Sequence, residues 1–192
     1  LQILGACPTK KREIKMELID LSQEIYPGMP VYHGLPPVEM TVYASHEEWE
    51  GLTGSGEVSP AVHRLTLGEH TGTHVDALNH MRRADRGRSI DSMPLSSFYT
   101  PGLCLDLSHK GLRELIEPAD LEAALAAAGL ELQPGETVLL YTDHYRRAYG
   151  SPDWEHGPGL SAAAARWLGE RGIAAFGVET AAPGVSGVSN KD

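Results

Sequence analysis

Three histidines and one carboxylate fall within a single run, His70-Thr71-Gly72-Thr73-His74-Val75-Asp76-Ala77-Leu78-Asn79-His80. Neutral imidazole nitrogen and carboxylate oxygen together suit zinc, manganese, iron or nickel. If residues 74–76 are extended, His74 and Asp76 project to the same side, because strand side chains repeat every two residues. Gly72 lets the backbone bend, so that His70 can swing to the same point. Three protein ligands leave coordination positions open for water and substrate, which is the arrangement of a catalytic rather than a structural site. The run lacks the Glu of the helical zinc-protease motif, and that site is excluded. With nine histidines in the chain, some clustering by chance is expected. The alternation with Gly, Thr and Asp directly after a strand-like run is what sets this cluster apart.

The elements that must position the cluster are legible on both sides of it. Val62-His63-Arg64-Leu65-Thr66-Leu67 alternates apolar and polar residues and reads as a strand leading into His70. Upstream, Leu18-Ile19-Asp20-Leu21 is strand-like, and Tyr26-Pro27-Gly28-Met29-Pro30 reads as a turn-rich loop. Residues 44–60 are polar and glycine-rich, so a surface loop or lid is expected there. Downstream, Gly102-Leu103-Cys104-Leu105-Asp106-Leu107 reads as a strand. Pro118 sits well as a first helical residue, the helix runs through Ala128, and Gly129 is a plausible stop. Pro134-Gly135 turns the chain into Val138-Leu139-Leu140-Tyr141, expected as a buried strand. Ser161 caps a helix from Ala162 to Arg171, Gly172 ends it, and Ile173 to Val178 forms a further strand. Strand, helix and strand in this order predict a βαβ unit with parallel pairing. The class is α/β or α+β. A single domain is expected over 16–192, with 1–15 an N-terminal extension or arm.

Composition narrows the function. The 192 residues carry a formal net charge of -10, with 41% hydrophobic and 22% charged residues, ordinary for a soluble globular protein. An acidic chain is a poor match for nucleic acid, whose binders need a basic face. No apolar run approaches the ~20 residues that span a bilayer, so no membrane association is expected. The apolar start, Leu1 to Cys7, has no basic region before it and is too short for a signal peptide. Leu4-Gly5-Ala6-Cys7 faintly resembles a lipoprotein cleavage site. Cys7 and Cys104 do not make a disulfide framework, and a reduced, cytoplasmic setting is the expectation.

The histidine run resembles the signature of the cyclase family that includes bacterial kynurenine formamidase and isatin hydrolase, His-x-Gly-Thr-His-x-Asp-x-Pro-x-His. Every fixed position matches except the proline, which is Leu78 here. The likeness extends along roughly residues 16 to 190. Asp20-Leu21-Ser22 with Gly28-Met29-Pro30, Ile90-Asp91 with Pro94-Leu95, Gly157-Pro158-Gly159-Leu160-Ser161 and Gly177-Val178-Glu179-Thr180 resemble further family landmarks. The resemblance implies a swivelling β/β/α-type fold, with a central mixed sheet or open barrel, flanking helices and the metal at a sheet edge. It implies His70, His74 and Asp76 as ligands of a divalent metal, zinc or manganese. It implies His80 as the proton-shuttling histidine, for which a second layer around the metal or a fourth ligand position is the alternative. It also implies a small-molecule substrate and a homo-oligomer, in which the N-terminal arm is a candidate for exchange between subunits. Members with two metals draw a further His and a Glu or Gln from near the C-terminus. Those positions are expected beyond Asn190-Lys191-Asp192, so the C-terminal end of the domain is expected to be lacking. Leu78 is expected to alter the turn before His80.

Other residues have a functional and a plain reading. Asp143-His144 follows a strand where α/β active-site loops often lie, and His144 is the second candidate for proton transfer; a solvated loop is the plain reading. Glu179 ends a strand as a second layer around the site or as a hydrogen-bonding acid. Tyr26, Tyr32 and Trp49 line an aromatic pocket or belong to the core. Arg82, Arg83 and Arg88 form a solvated face, or one of them binds a substrate carboxylate. The expected activity is metal-dependent hydrolysis of a non-peptide C–N bond, in an aryl formamide or a cyclic amide. A metal-dependent cyclase or dehydratase is the enzymatic alternative, and a non-catalytic metal- or small-molecule-binding protein is the alternative from another class.

Overall fold

The computed structural model describes residues 17–188, apart from Ser55 and Glu57. The extension 1–15, with Cys7, and the end at Asn190–Asp192 lie outside the described residues. The Leu18–Leu21 run forms no strand, and Leu18 and Leu21 are exposed. A strand needs a partner ladder as well as β propensity, and no described residue offers one here.

The first half is built on an antiparallel ribbon. Strand β1 (Glu39–Ala44) pairs with β2 (Val62–Thr66), with Met40 opposite Leu65 and Val42 opposite His63. Between them lies α1 (His46–Thr53), in the segment whose polarity suggests a loop. A capping box nucleates it: Ser45 Oγ accepts the Glu48 amide at 3.3 Å, and the Glu48 carboxylate accepts the Ser45 amide at 2.7 Å. The Ser-x-x-Glu spacing is the readable signal. After the histidine run come the short helix α2 (Leu78–Met81) and 3₁₀ turns at Arg83–Asp85, Ile90–Ser92 and Leu95–Phe98.

The second half follows the expected βαβ logic and does so twice. Strand β3 (Gly102–Asp106) is followed by the two-residue β4 (Leu115–Ile116), α3 (Pro118–Ala128) and β5 (Thr137–Tyr141). Then come α4 (His144–Ala148), β6 (Gly159–Leu160), α5 (Ala162–Glu170) and β7 (Ala175–Val178). The parallel sheet has the order β3-β5-β7, and β4 pairs in parallel with β6. Pro118 opens α3 and Gly129 closes it at φ 65°. Ser161 Oγ caps α5 through the Ala164 amide at 3.1 Å. The architecture is therefore mixed α/β with flanking helices, its strands divided among small antiparallel and parallel sheets.

Only one face of β5 is buried. Val138 and Leu140 pack with Leu105, Leu107, Ile116, Leu121, Leu160, Ala164 and Leu168, so α3 and α5 cover that side. Leu139 and Tyr141 point the other way and stay exposed, which corrects the expectation of a fully buried strand. Among the described residues no helix is long and apolar enough to cross a membrane.

Candidate metal centre

The turn at residues 68–71 ends β2 and throws the backbone toward its own histidines. The Thr71 amide donates to the Gly68 carbonyl at 3.2 Å, and Gly72 takes φ +64°, a left-handed conformation that a side chain would strain. His70 Nδ1 then stands 2.7 Å from Asp76 Oδ1, His74 Nε2 stands 3.3 Å from the same oxygen, and the two nitrogens are 3.2 Å apart. Ligands about 2.0–2.1 Å from a tetrahedral ion lie about 3.3–3.4 Å from one another, so these separations suit a single cation with modest adjustment. The bend at Gly72 lets His70 reach the point that His74 and Asp76 share.

His74 is oriented from behind. Its Nδ1 lies 2.8 Å from the Gly72 carbonyl oxygen, which can only accept, so Nδ1 carries the proton and Nε2 keeps its lone pair toward Asp76. On the far side of His70, Nε2 faces Glu69 Oε1 at 3.6 Å. The side chains of His70, His74 and Asp76 are 17%, 33% and 46% exposed, so the cluster is open to a small molecule.

His80 is set by α2. Its amide donates to the Ala77 carbonyl at 3.0 Å, and its ring lies over His70 with centroids 3.9 Å apart. His80 Nε2 is 4.0 Å from Asp76 Oδ2, outside the group of His70, His74 and Asp76, whose ligand atoms stand 2.7–3.3 Å apart. Leu78 occupies the first helical position, and Ala77 before it is extended at φ -80°, ψ 159°. That geometry accepts proline without change, because proline prefers the first helical turn and an extended predecessor. The leucine therefore leaves a proline-compatible turn in place. Leu78→Pro is expected to raise unfolding stability by about 0.4–1 kcal/mol through a stiffer unfolded chain. Urea denaturation checks it, and a lower midpoint would mean that packing of the leucine matters more than chain stiffness.

The remaining candidates are spread over the fold. Asp143 caps α4 at φ 59° and is bonded by Arg146 Nε at 2.9 Å and by the Tyr141 hydroxyl at 2.9 Å. The Arg146 bond first, then Tyr141, holds its carboxyl below the usual carboxylate range. His144 is buried, stacked on Trp154, with Nε2 donating to the Trp154 carbonyl at 2.9 Å. Glu179 Oε1 accepts from the Thr142 amide (2.6 Å), the Thr142 hydroxyl (2.8 Å) and the His144 amide (3.0 Å). Glu179 thus joins the ends of β5 and β7 to the start of α4. Arg82 and Arg88 flank Asp85 at 3.2 and 3.6 Å.

Tyr32 packs on His33, and Trp49 stands on α1. Tyr26 reaches Tyr149, hydroxyl to hydroxyl at 3.3 Å. Tyr149 stacks on Tyr145 and meets Trp154 edge-on, and burial, then the Tyr26 bond, pushes its phenol up to about 12. Tyr145, Tyr149 and Trp154 meet one another locally, but the contact of Tyr149 with Tyr26 spans 123 positions and carries no spacing signal in the sequence.

Residues 19–185 match the family described as "Putative cyclase". Kynurenine formamidase of Salinibacter ruber is 37% identical over 93 residues, which is 48% of this chain but only 40% of that protein. Kynurenine formamidase of Bacillus cereus is 31% identical over 176 residues, covering 92% of this chain and 73% of that protein. Among solved structures, isatin hydrolase A from Ralstonia solanacearum superposes with a TM-score of 0.73 at 27% identity, covering 87% of this chain and 68% of that one.

Proposed function

The chain belongs to the cyclase family, and on that premise we propose that it is a metal-dependent hydrolase of a non-peptide C–N bond, in an aryl formamide or a cyclic amide. The observation that carries this reading is the convergence of His70 Nδ1, His74 Nε2 and Asp76 Oδ1 on one point. These residues would hold a divalent cation, zinc or manganese. When bound, the cation supplies Lewis acidity toward a carbonyl and toward water.

The chain's own groups do the rest. Gly72 fixes the tautomer of His74, so the nitrogen that faces the cluster is the one able to donate a lone pair. His80 faces Asp76 from outside the ligand group and is placed to take a proton and pass it to the leaving nitrogen. The open flank of the cluster admits a small substrate, and no basic groove for nucleic acid is needed. Self-association belongs to the same proposal. Met40, Val42 and Leu65 lie on one face of the β1–β2 ribbon and are 41%, 63% and 54% exposed, an apolar face that a second subunit would cover. A cytoplasmic setting is part of the proposal too.

The test is elemental analysis of the purified protein together with turnover of a panel of aryl formamides, lactams and esters. One divalent ion per chain and hydrolysis of a C–N substrate are expected, with activity lost to a chelator and restored by that ion. Ring closure or loss of water from a substrate would move the assignment to a cyclase or dehydratase. Stoichiometric metal with no turnover of any panel member would mark a binding protein.

A further inference from the structure

We propose that Thr73 is a positioning residue, whose hydroxyl clamps an N-terminal strap, residues 22–33, onto the turn that carries the metal-binding histidines. The inference rests on the hydrolase reading for its kinetic part only. The strap has no strand pairing, so its place depends on a few anchors. One anchor lies within the histidine run. The Gln23 amide donates to Thr73 Oγ1 at 2.9 Å, joining positions fifty residues apart. Beside it Ile25 lies against the turn, and a Cβ on Gly72 would stand 3.1 Å from Ile25 Cγ1. Gly72 is the residue whose carbonyl orients His74. The turn holds His74 by its own Gly72 carbonyl, and the strap packs on the outer side of that turn.

The other anchors tie the strap to the second half of the fold. Tyr26 reaches the Tyr149 hydroxyl at 3.3 Å. The His33 amide donates to Glu155 Oε1 at 2.8 Å, and its ring Nδ1 meets Glu155 Oε2 at 2.5 Å. Met29, between them, is 4% exposed. The strap thus crosses from the metal-binding turn to the aromatic group that follows α4, and Thr73 supplies the side-chain anchor at the near end. Thr73 sits between Gly72 and His74 but is not in the group of converging ligand atoms. Its hydroxyl serves the strap, which on the proposed hydrolase reading would wall the substrate site.

Three readouts on Thr73→Val and Thr73→Ser decide the matter. Valine keeps the shape and removes the acceptor, whereas serine keeps the acceptor. In Thr73→Val, hydrogen exchange at the Gln23 amide is expected to speed up at least several-fold, while Thr73→Ser exchanges like the parent. Metal content is expected to stay at the parent value in both. With the substrate that the panel identifies, KM is expected to rise about three- to tenfold in Thr73→Val, the factor that one ordinary hydrogen bond supplies. In that variant kcat should change far less, and Thr73→Ser should recover the parent KM. Unchanged exchange at Gln23 in Thr73→Val overturns the clamp. Loss of metal overturns it too, because Thr73 would then act on the ligands themselves. A kcat loss as large as the KM change, or failure of serine to rescue, overturns the positioning role. If the parent turns over no substrate, the hydrolase reading fails while the exchange measurement still decides whether the clamp exists.

Discussion

His80→Ala is expected to leave metal content nearly intact while lowering turnover by roughly 10²–10⁴-fold, the usual worth of a general acid or base. His74→Ala, by contrast, is expected to lose the metal, because a centre with three protein ligands has none to spare. The contrast follows from position. His74 Nε2 is 3.3 Å from Asp76 Oδ1 and 3.2 Å from His70 Nδ1, inside the converging group. His80 Nε2 stands 4.0 Å from the other Asp76 oxygen, brought there by one turn of α2. The comparison to make is metal stoichiometry and turnover on the same two preparations. Equal metal loss in both variants would make His80 a ligand. His144 is a poor replacement as proton carrier in that event, since it is 1% exposed and its Nε2 proton is committed to the Trp154 carbonyl.

The second large effect concerns stability. Glu179→Ala is expected to cost about 2–5 kcal/mol of unfolding free energy, because it strands buried donors that have nowhere else to turn, at about 1–3 kcal/mol each. Glu179 Oε1 accepts the amides of Thr142 and His144 together with the Thr142 hydroxyl. Thr142 and His144 are 2% and 1% exposed, so water does not readily take over those amides. Glu179→Gln retains a carbonyl oxygen and loses only the charge assistance, so it is expected to cost about half as much or less. Denaturant unfolding of the two variants measures both numbers. A cost below about 1 kcal/mol for alanine would show that the β5–β7–α4 junction does not depend on this carboxylate.

What is legible in the sequence is local. Pro118 and Gly129 bracket α3 within their own segment, Ser161 caps α5 three residues from its partner, and each element forms nearly as read. The histidine run is readable for the same reason, since its groups come from one short stretch bent at one glycine. The segments that depart from expectation turn on partners. Leu18–Leu21 has strand composition but no neighbouring ladder. Val138–Tyr141 looks uniformly apolar, yet helices cover one face only. The Tyr26–Tyr149 and Gln23–Thr73 contacts join positions 123 and fifty residues apart, and no period or spacing announces them. Helix α1 is different, because its capping box is present in Ser45 and Glu48 but is outweighed by the polarity of the segment.

The uneven placing of the core bears on how the molecule comes apart. The packed cluster runs from Leu105 to Leu168, whereas before residue 100 the buried apolar side chains among the described residues are Met29 and Val38. The ribbon and the histidine run are therefore expected to form the weaker of two cooperative units, able to open while the parallel sheet stays folded. A cation that binds only the closed arrangement adds stability in proportion to the logarithm of its concentration over its dissociation constant. It would act on the weaker unit as a substitute for the core that this unit lacks. The range of temperature over which the site exists would then be set by metal supply, independently of the melting of the second half.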